Sequence, residues 1–262
     1  MTHFTVLVAG EDYESILAPY DENIKVAPYI SKTKDEVEAE FLEYKSRCQG
    51  RLDAGGVLSA FDQLTLYLDH VTRGWWNDCH GNDLDSEMNA ISTYNPKSKW
   101  DWYVVGGRWT GMFILNPGTM GELGRPGVFG NKPQHDADIV RLGDVDWKSM
   151  NAKARERVGA DWDKLFAPID PKTCWLKPEY VEQQKALHLE MYGTKEEYLR
   201  RRGFWTTYAL VTESEWIAPG DMGWWGLSSD YTKDRDAFDK KFVETLKSMS
   251  PDTIITCVDC HI

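Results

Sequence analysis

No run of apolar residues in this sequence approaches the roughly 20 needed to cross a bilayer as a helix. With 27% charged residues across 262 positions, the expectation is a water-soluble chain with no membrane partner. An export signal is not expected either. "MTHFTVLVAGEDYE" has no positively charged segment, and its apolar run Phe4 to Ala9 is too short, which points to the cytoplasm. Cysteine is scarce and odd in number, at five, so a disulfide framework is not expected. Positive charge is also short: a net charge of −12 argues against general affinity for nucleic-acid backbones. It leaves room for a small anionic ligand in a locally positive site, and for an acidic surface that mimics nucleic acid. Internal repeats and low-complexity linkers are absent.

Tryptophan is abundant instead. Twelve are present, several in clusters: Trp75-Trp76, Trp100 with Trp102, and Trp224-Trp225. Large rings fill cores and also make flat stacking platforms in ligand sites. Core packing is the plainer use.

Periodicity gives a coarse fold. "HFTVLVA" (3–9) reads as a strand ending at Gly10. Residues 33–50 and 57–73 place apolar side chains at helical spacing, and 75–99 is polar and irregular, a long loop. "KWDWYVVGGRWTGMFIL" is the strongest strand signal. Alternation puts Trp100, Trp102 and Val104 on one face, and Gly106-Gly107 marks a bulge or tight hairpin. Segments 147–165, 178–202 and 234–249 read as helices, 204–212 and 252–262 as strands. Isolated strands separated by helices suggest an α+β fold. Its single antiparallel or mixed sheet contains both terminal strands, with helices mainly on one side. One domain is expected over 1–262, with 116–200 as a candidate insertion or subdomain.

The ending "CVDCHI" fits the C-x-x-C-H pattern of covalent haem attachment. A cytoplasmic chain opposes that, as does extended geometry, which turns Cys257 and Cys260 to opposite faces. Haem is therefore not expected. Alternation instead groups Asp259 with His261, and His3 joins them if the terminal strands are neighbours. Three uses follow. His3, Asp259 and His261 suit a divalent metal with open positions for substrate. Two histidines suit acid–base work on a phosphodiester; "HFTV" fits the H-Φ-[ST]-Φ motif of two-histidine phosphoesterases, although "HVTR" at 70–73 is a poor second copy. Cys260 as a nucleophile is disfavoured because it faces away from His261. Ordinary hydrogen bonding at the end of a strand is the plain alternative.

A second group is Lys99, Trp100, Trp102, Arg108 and Trp109. A guanidinium fork, stacking rings and a glycine pair that exposes backbone amides would together suit a nucleotide-like ligand. A Trp-rich core with Arg108 in a salt bridge explains the same residues. Trp224 and Trp225 in "GDMGWWG" are a lid or a packed corner. Cys79-His80 matches no zinc spacing, and Arg200-Arg201-Arg202 reads as a solvated helix end.

The opening "MTHFTVLV" with "LAPYDEN", the central "NPKSKWDWYVVGGRW" and the ending "VDCHI" resemble an uncharacterised tailed-bacteriophage protein family. The resemblance covers both termini and the middle of the chain. Cys257 departs from that family's ending, which has an aliphatic residue there. The resemblance implies a phage or prophage origin, hence action in the cytoplasm of an infected bacterium, and brings no chemistry with it. Two functions stand as expectations. One is an accessory, counter-defence protein that binds a nucleotide-type ligand, with or without hydrolysing it. The other is a non-enzymatic protein that blocks a host protein through its acidic, Trp-rich surface.

Overall fold

The chain opens with strand β1 (His3–Ala9), in which Phe4, Val6, Leu7, Val8 and Ala9 are all buried. Successive strand residues face opposite sides, so burial of neighbours means that both faces of β1 are covered. The computed structural model describes residues 2–126, 132–168, 177–223, 229 and 232–262. It divides into two compact units: one runs up to Asp21 and resumes at Lys97, and the other is Glu22–Pro96. The segment that forms a unit of its own is thus 22–96, whereas 116–200 belongs to the first unit.

Helix α1 (Tyr13–Leu17) follows β1. The second unit then contains β2 (Tyr29–Lys32), α2 (Lys34–Asp53), α3 (Ala60–Tyr67), α4 (Arg73–His80), β3 (Asp83–Leu84) and β4 (Ala90–Ser92). Its antiparallel sheet runs β2-β4-β3. Thr33 and Glu36 start α2 with a reciprocal capping box. Val37 and Phe41 of α2 pack against Trp75 and Trp76 of α4. The expected helix over 57–73 stops at Leu68, and the expected loop from 75 begins as helix, because Thr72 caps it and Gly81 at φ +67° ends it. Trp75 and Trp76 are core residues whose indole nitrogens donate to Thr65 Oγ1 (2.8 Å) and Asn82 Oδ1 (2.6 Å).

The first unit continues with β5 (Trp102–Gly107), β6 (Arg125–Pro126), β7 (Ile139–Arg141), α5 (Trp147–Phe166), α6 (Pro178–Tyr192), α7 (Lys195–Arg202), β8 (Ala209–Val211), β9 (Trp216–Ile217), α8 (Thr232–Ser248) and β10 (Ile254–His261). The strand expected to resume after Gly107 survives only as isolated bridges at Phe113 and Leu115. Gly193, at φ +69°, splits the expected helix 178–202, and Thr194 caps α7. The sheet order is β6-β5-β10-β1-β8-β9, with β7 also on β10. The β1–β8 and β5–β6 pairs are parallel and the others antiparallel. The protein is α+β, and its two terminal strands lie side by side in the mixed sheet.

Leu7, Ile255 and Cys257 on one face meet Met150 of α5 and Phe238 and Phe242 of α8. The opposite face, with Phe4, Val6, Val258 and Cys260, is covered by Ile16 and Leu17 of α1 and by Trp100 and Tyr103. Most helical cover therefore lies on one side. Arg201 and Arg202 of α7 pair with Asp236 and Asp239 of α8. They bind helix to helix and are not the solvated end that composition suggests.

Candidate functional site

The face that carries Leu7 and Cys257 turns polar towards one end. Antiparallel pairing sets Leu7 opposite Cys257, Thr5 opposite Asp259 and His3 opposite His261. An apolar rung gives way to a hydroxyl–carboxylate rung and then to an imidazole–imidazole rung. The Asp259 side chain is 1% exposed, and a carboxylate so placed must have its acceptor sites filled. His3 Nδ1 lies 2.8 Å from Oδ1, and the Arg108 amide donates to Oδ2 at 2.9 Å. Gly107 makes the second bond feasible. Its φ is +54°, and a Cβ there would stand 2.4 Å from Asp259 Cβ.

The second imidazole is served in the same way by a different strand. His261 pairs with Trp102 in register, and Asp101, just before β5, accepts from His261 Nδ1 at 2.7 Å. A carboxylate only accepts, so in each pair Nδ1 carries the proton and Nε2 of the neutral ring is the basic nitrogen. The two rings are 5.0 Å apart, edge to face. Trp102 stacks on His261 at 5.0 Å and 16° and meets His3 edge-on at 5.2 Å. Trp102 is 37% exposed, while the His3 and His261 side chains are 7% and 6% exposed.

No family model, curated protein or solved structure matches the chain.

The metal reading of His3, Asp259 and His261 is corrected. Among the described residues no three His, Cys, Asp or Glu side chains are grouped to hold a metal ion. The donors face one another in pairs, and both Asp259 oxygens are engaged. Cys260 lies on the opposite face from His261, fully buried beside Val258, and burial raises its thiol and that of Cys257 well above the ordinary value. Burial and a raised thiol disfavour both as nucleophiles.

The second predicted group divides: Trp102, Arg108 and Trp109 adjoin the histidines, and Trp100 and Lys99 do not. Trp100 does not share a face with Trp102; it is buried against Tyr103 on the other side of the sheet, 5.0 Å between centroids. Residue 100 precedes β5, so strand alternation does not reach it. Lys99 forms an ion pair with Asp221 at 2.6 Å. Arg108 contributes its backbone amide to Asp259, and Trp109 follows in the same turn, its amide donating to Gly106 O at 3.0 Å. Trp224 and Trp225 lie outside the described residues. His80 stacks on Trp76 at 3.9 Å and pairs with Glu40 at 3.4 Å.

Asp101 is the member that sequence reading missed as a partner of His261, since its role depends on β5 lying beside β10. A buried Asp138 was also missed. It accepts from Thr110 Oγ1, the Met112 amide and the Gly124 amide at 2.9–3.0 Å, and stands where a Cβ on Gly106 (φ +73°) would fall. The two glycines thus admit two carboxylates to one turn. Chemically, the site offers two oriented imidazoles, one able to take a proton while the other gives one.

Proposed function

We propose that this is a phage accessory protein that binds a nucleotide-type ligand and hydrolyses a phosphoester bond in it by two-histidine acid–base chemistry. The observation that carries this reading is the pair of Asp–His couples, Asp259–His3 and Asp101–His261, whose rings are 5.0 Å apart at one end of the sheet. In hydrolysis, Nε2 of one neutral histidine takes a proton from water as the oxygen attacks phosphorus. The other histidine, protonated, gives its proton to the leaving oxygen as the P–O bond breaks. Water is consumed and the two histidines exchange protonation states. Each carboxylate holds its ring in place and fixes its tautomer.

The phage setting comes from the sequence resemblance, and counter-defence follows as a context in which removing a nucleotide signal benefits the infecting phage. Among the described residues no helix is long and apolar enough to cross a membrane. The cytoplasm of the infected bacterium is the place of action that fits this reading.

A second reading, a protein that blocks a host factor, is favoured by the second unit. It leaves Val57 92% and Tyr67 84% exposed, with Leu52 and Leu64 also open to solvent. Apolar side chains of that size on a surface suit a protein partner.

The test is incubation of the purified protein with cyclic and linear nucleotides, with and without EDTA. The catalytic reading expects product from at least one nucleotide, resistant to EDTA and lost in His3→Ala and His261→Ala. No product from any nucleotide, together with a stoichiometric host protein recovered through the second unit, supports the alternative.

A further inference from the structure

A cleft of about 280 Å³ opens beside Thr5, the residue next along the same face of β1 from His3. Its walls include Trp109, His135 and Trp205, together with Lys153 and Arg157 of α5. Among the described residues no Asp or Glu lines it, although the chain carries 42 acidic residues against 30 Lys and Arg. Lys153 and Arg157 stand one helical turn apart on α5, with Glu156 three residues after the first and Asp161 four after the second along the same helix. Neither forms an ion pair among the described residues. Other cations of the same helical region do otherwise: Lys195 and Arg200, for example, are each paired with a carboxylate. His135 feels this local field. Burial pushes its imidazole down, and the Lys153 charge adds to that against the opposing Asp136. Trp109 is half-buried and makes no ring contact among the described residues, so its indole is available to a flat group.

We infer that this cleft is a binding site for a nucleoside phosphate, with Lys153 and Arg157 holding the phosphate and Trp109 and Trp205 flanking the base. Adjacent cations supply charge-assisted contacts to phosphate oxygens, and an indole face stacks on any base. The turn that presents Trp109 also donates the Arg108 amide to Asp259, and Thr5 pairs with Asp259 in register. Thr5 and the Trp109 turn therefore link the cleft to the paired histidines. This inference deepens the hydrolytic reading and rests on it for the choice of ligand class; the cleft's charge and rings stand without it.

The experiment measures binding of AMP and of inorganic pyrophosphate by calorimetry at low ionic strength, separately from turnover. Wild type should bind both. Lys153→Ala with Arg157→Ala should weaken both about tenfold or more, and Trp109→Ala should weaken AMP while sparing pyrophosphate. A control of equal charge change, Arg200→Ala with Lys240→Ala on exposed helix surfaces, should keep wild-type affinity. No binding of either probe by wild type, or equal loss in the control, overturns the cleft as a site. Nucleotide hydrolysis that proceeds unchanged in the Lys153 and Arg157 variant also overturns it, while leaving the histidine reading intact. Binding without hydrolysis does the reverse.

Discussion

His3 and Asp259, 256 residues apart in the chain, are hydrogen-bonded at 2.8 Å within the sheet. That bond fixes the His3 ring, because a carboxylate acceptor at Nδ1 leaves Nε2 as the basic nitrogen. Asp259→Asn presents an amide that can donate as well as accept, so the ring is free to adopt the other tautomer. Hydrolysis of the responsive nucleotide should fall by about 10²–10⁴-fold while circular dichroism stays that of the wild type. Full activity in Asp259→Asn would show that His3 is not a participant.

Gly107 tests how closely backbone and carboxylate must approach. A Gly107→Ala side chain meets both a positive φ of +54° and Asp259 Cβ at 2.4 Å. Gly118→Ala meets a φ of +85° with nothing within 4 Å. Both variants carry backbone strain, about 1–3 kcal/mol, and only the first also displaces Asp259. The urea midpoint should drop further for Gly107→Ala than for Gly118→Ala, and only the first should reduce hydrolysis.

Much of this end of the sheet was legible in the sequence. Alternation in "HFTVLVA" and "IITCVDCH" placed His3 on one face of its strand and Asp259 with His261 on one face of theirs, because both strands are regular and buried on both sides. Strand adjacency was the missing fact, and it is tertiary. Asp101 became a partner of His261 only because β5 lies against β10. Trp100 misled for a related reason: period-two reasoning holds within a strand, and the strand starts at Trp102. Lys153 and Arg157 gave no signal at all. Two cations at helical spacing look like an ordinary solvated face until a cleft is found beneath them. Likewise, Trp75 and Trp76 fell in a segment too polar to read as helix, although the Thr72 cap was present in the sequence.

The buried thiols make a cheap check of the same strand. Burial raises Cys257 and Cys260 well above the ordinary thiol value, and both are closed to solvent. Iodoacetamide should label Cys79, which is partly exposed, well before the peptide containing Cys257 and Cys260. Peptide mass spectrometry over time reads the difference. Early labelling of the terminal peptide would mean that β10 is not held as described.

Acid should weaken the second unit in a defined window. Hydrogen bonds from Tyr44 and Ser59 hold the Asp62 carboxyl down at about 2, below its ordinary 3.8. A depressed folded value means that the stabilisation is complete above about pH 4 and is lost as pH falls towards 2. Tyr44 mirrors it at the other extreme. Its hydroxyl, pushed up to about 12 chiefly by its bond to Asp62, contributes below pH 10 and loses that contribution as pH rises towards 12. Thermal melts at pH 6 and pH 3 should differ more for wild type than for Asp62→Asn. Equal pH sensitivity would mean that Asp62 does not set the acid response.

The pH–rate profile of hydrolysis tests the two-histidine mechanism most directly. With one imidazole neutral and the other protonated, kcat/KM of the wild type should be bell-shaped. His3→Gln and His261→Gln should each reduce the rate by about 10²–10⁴-fold, with each remaining profile losing one limb of the bell. A wild-type rate that follows a single titration, or a profile unchanged by either substitution, would contradict the mechanism and leave the paired histidines as a clasp between β1 and β10.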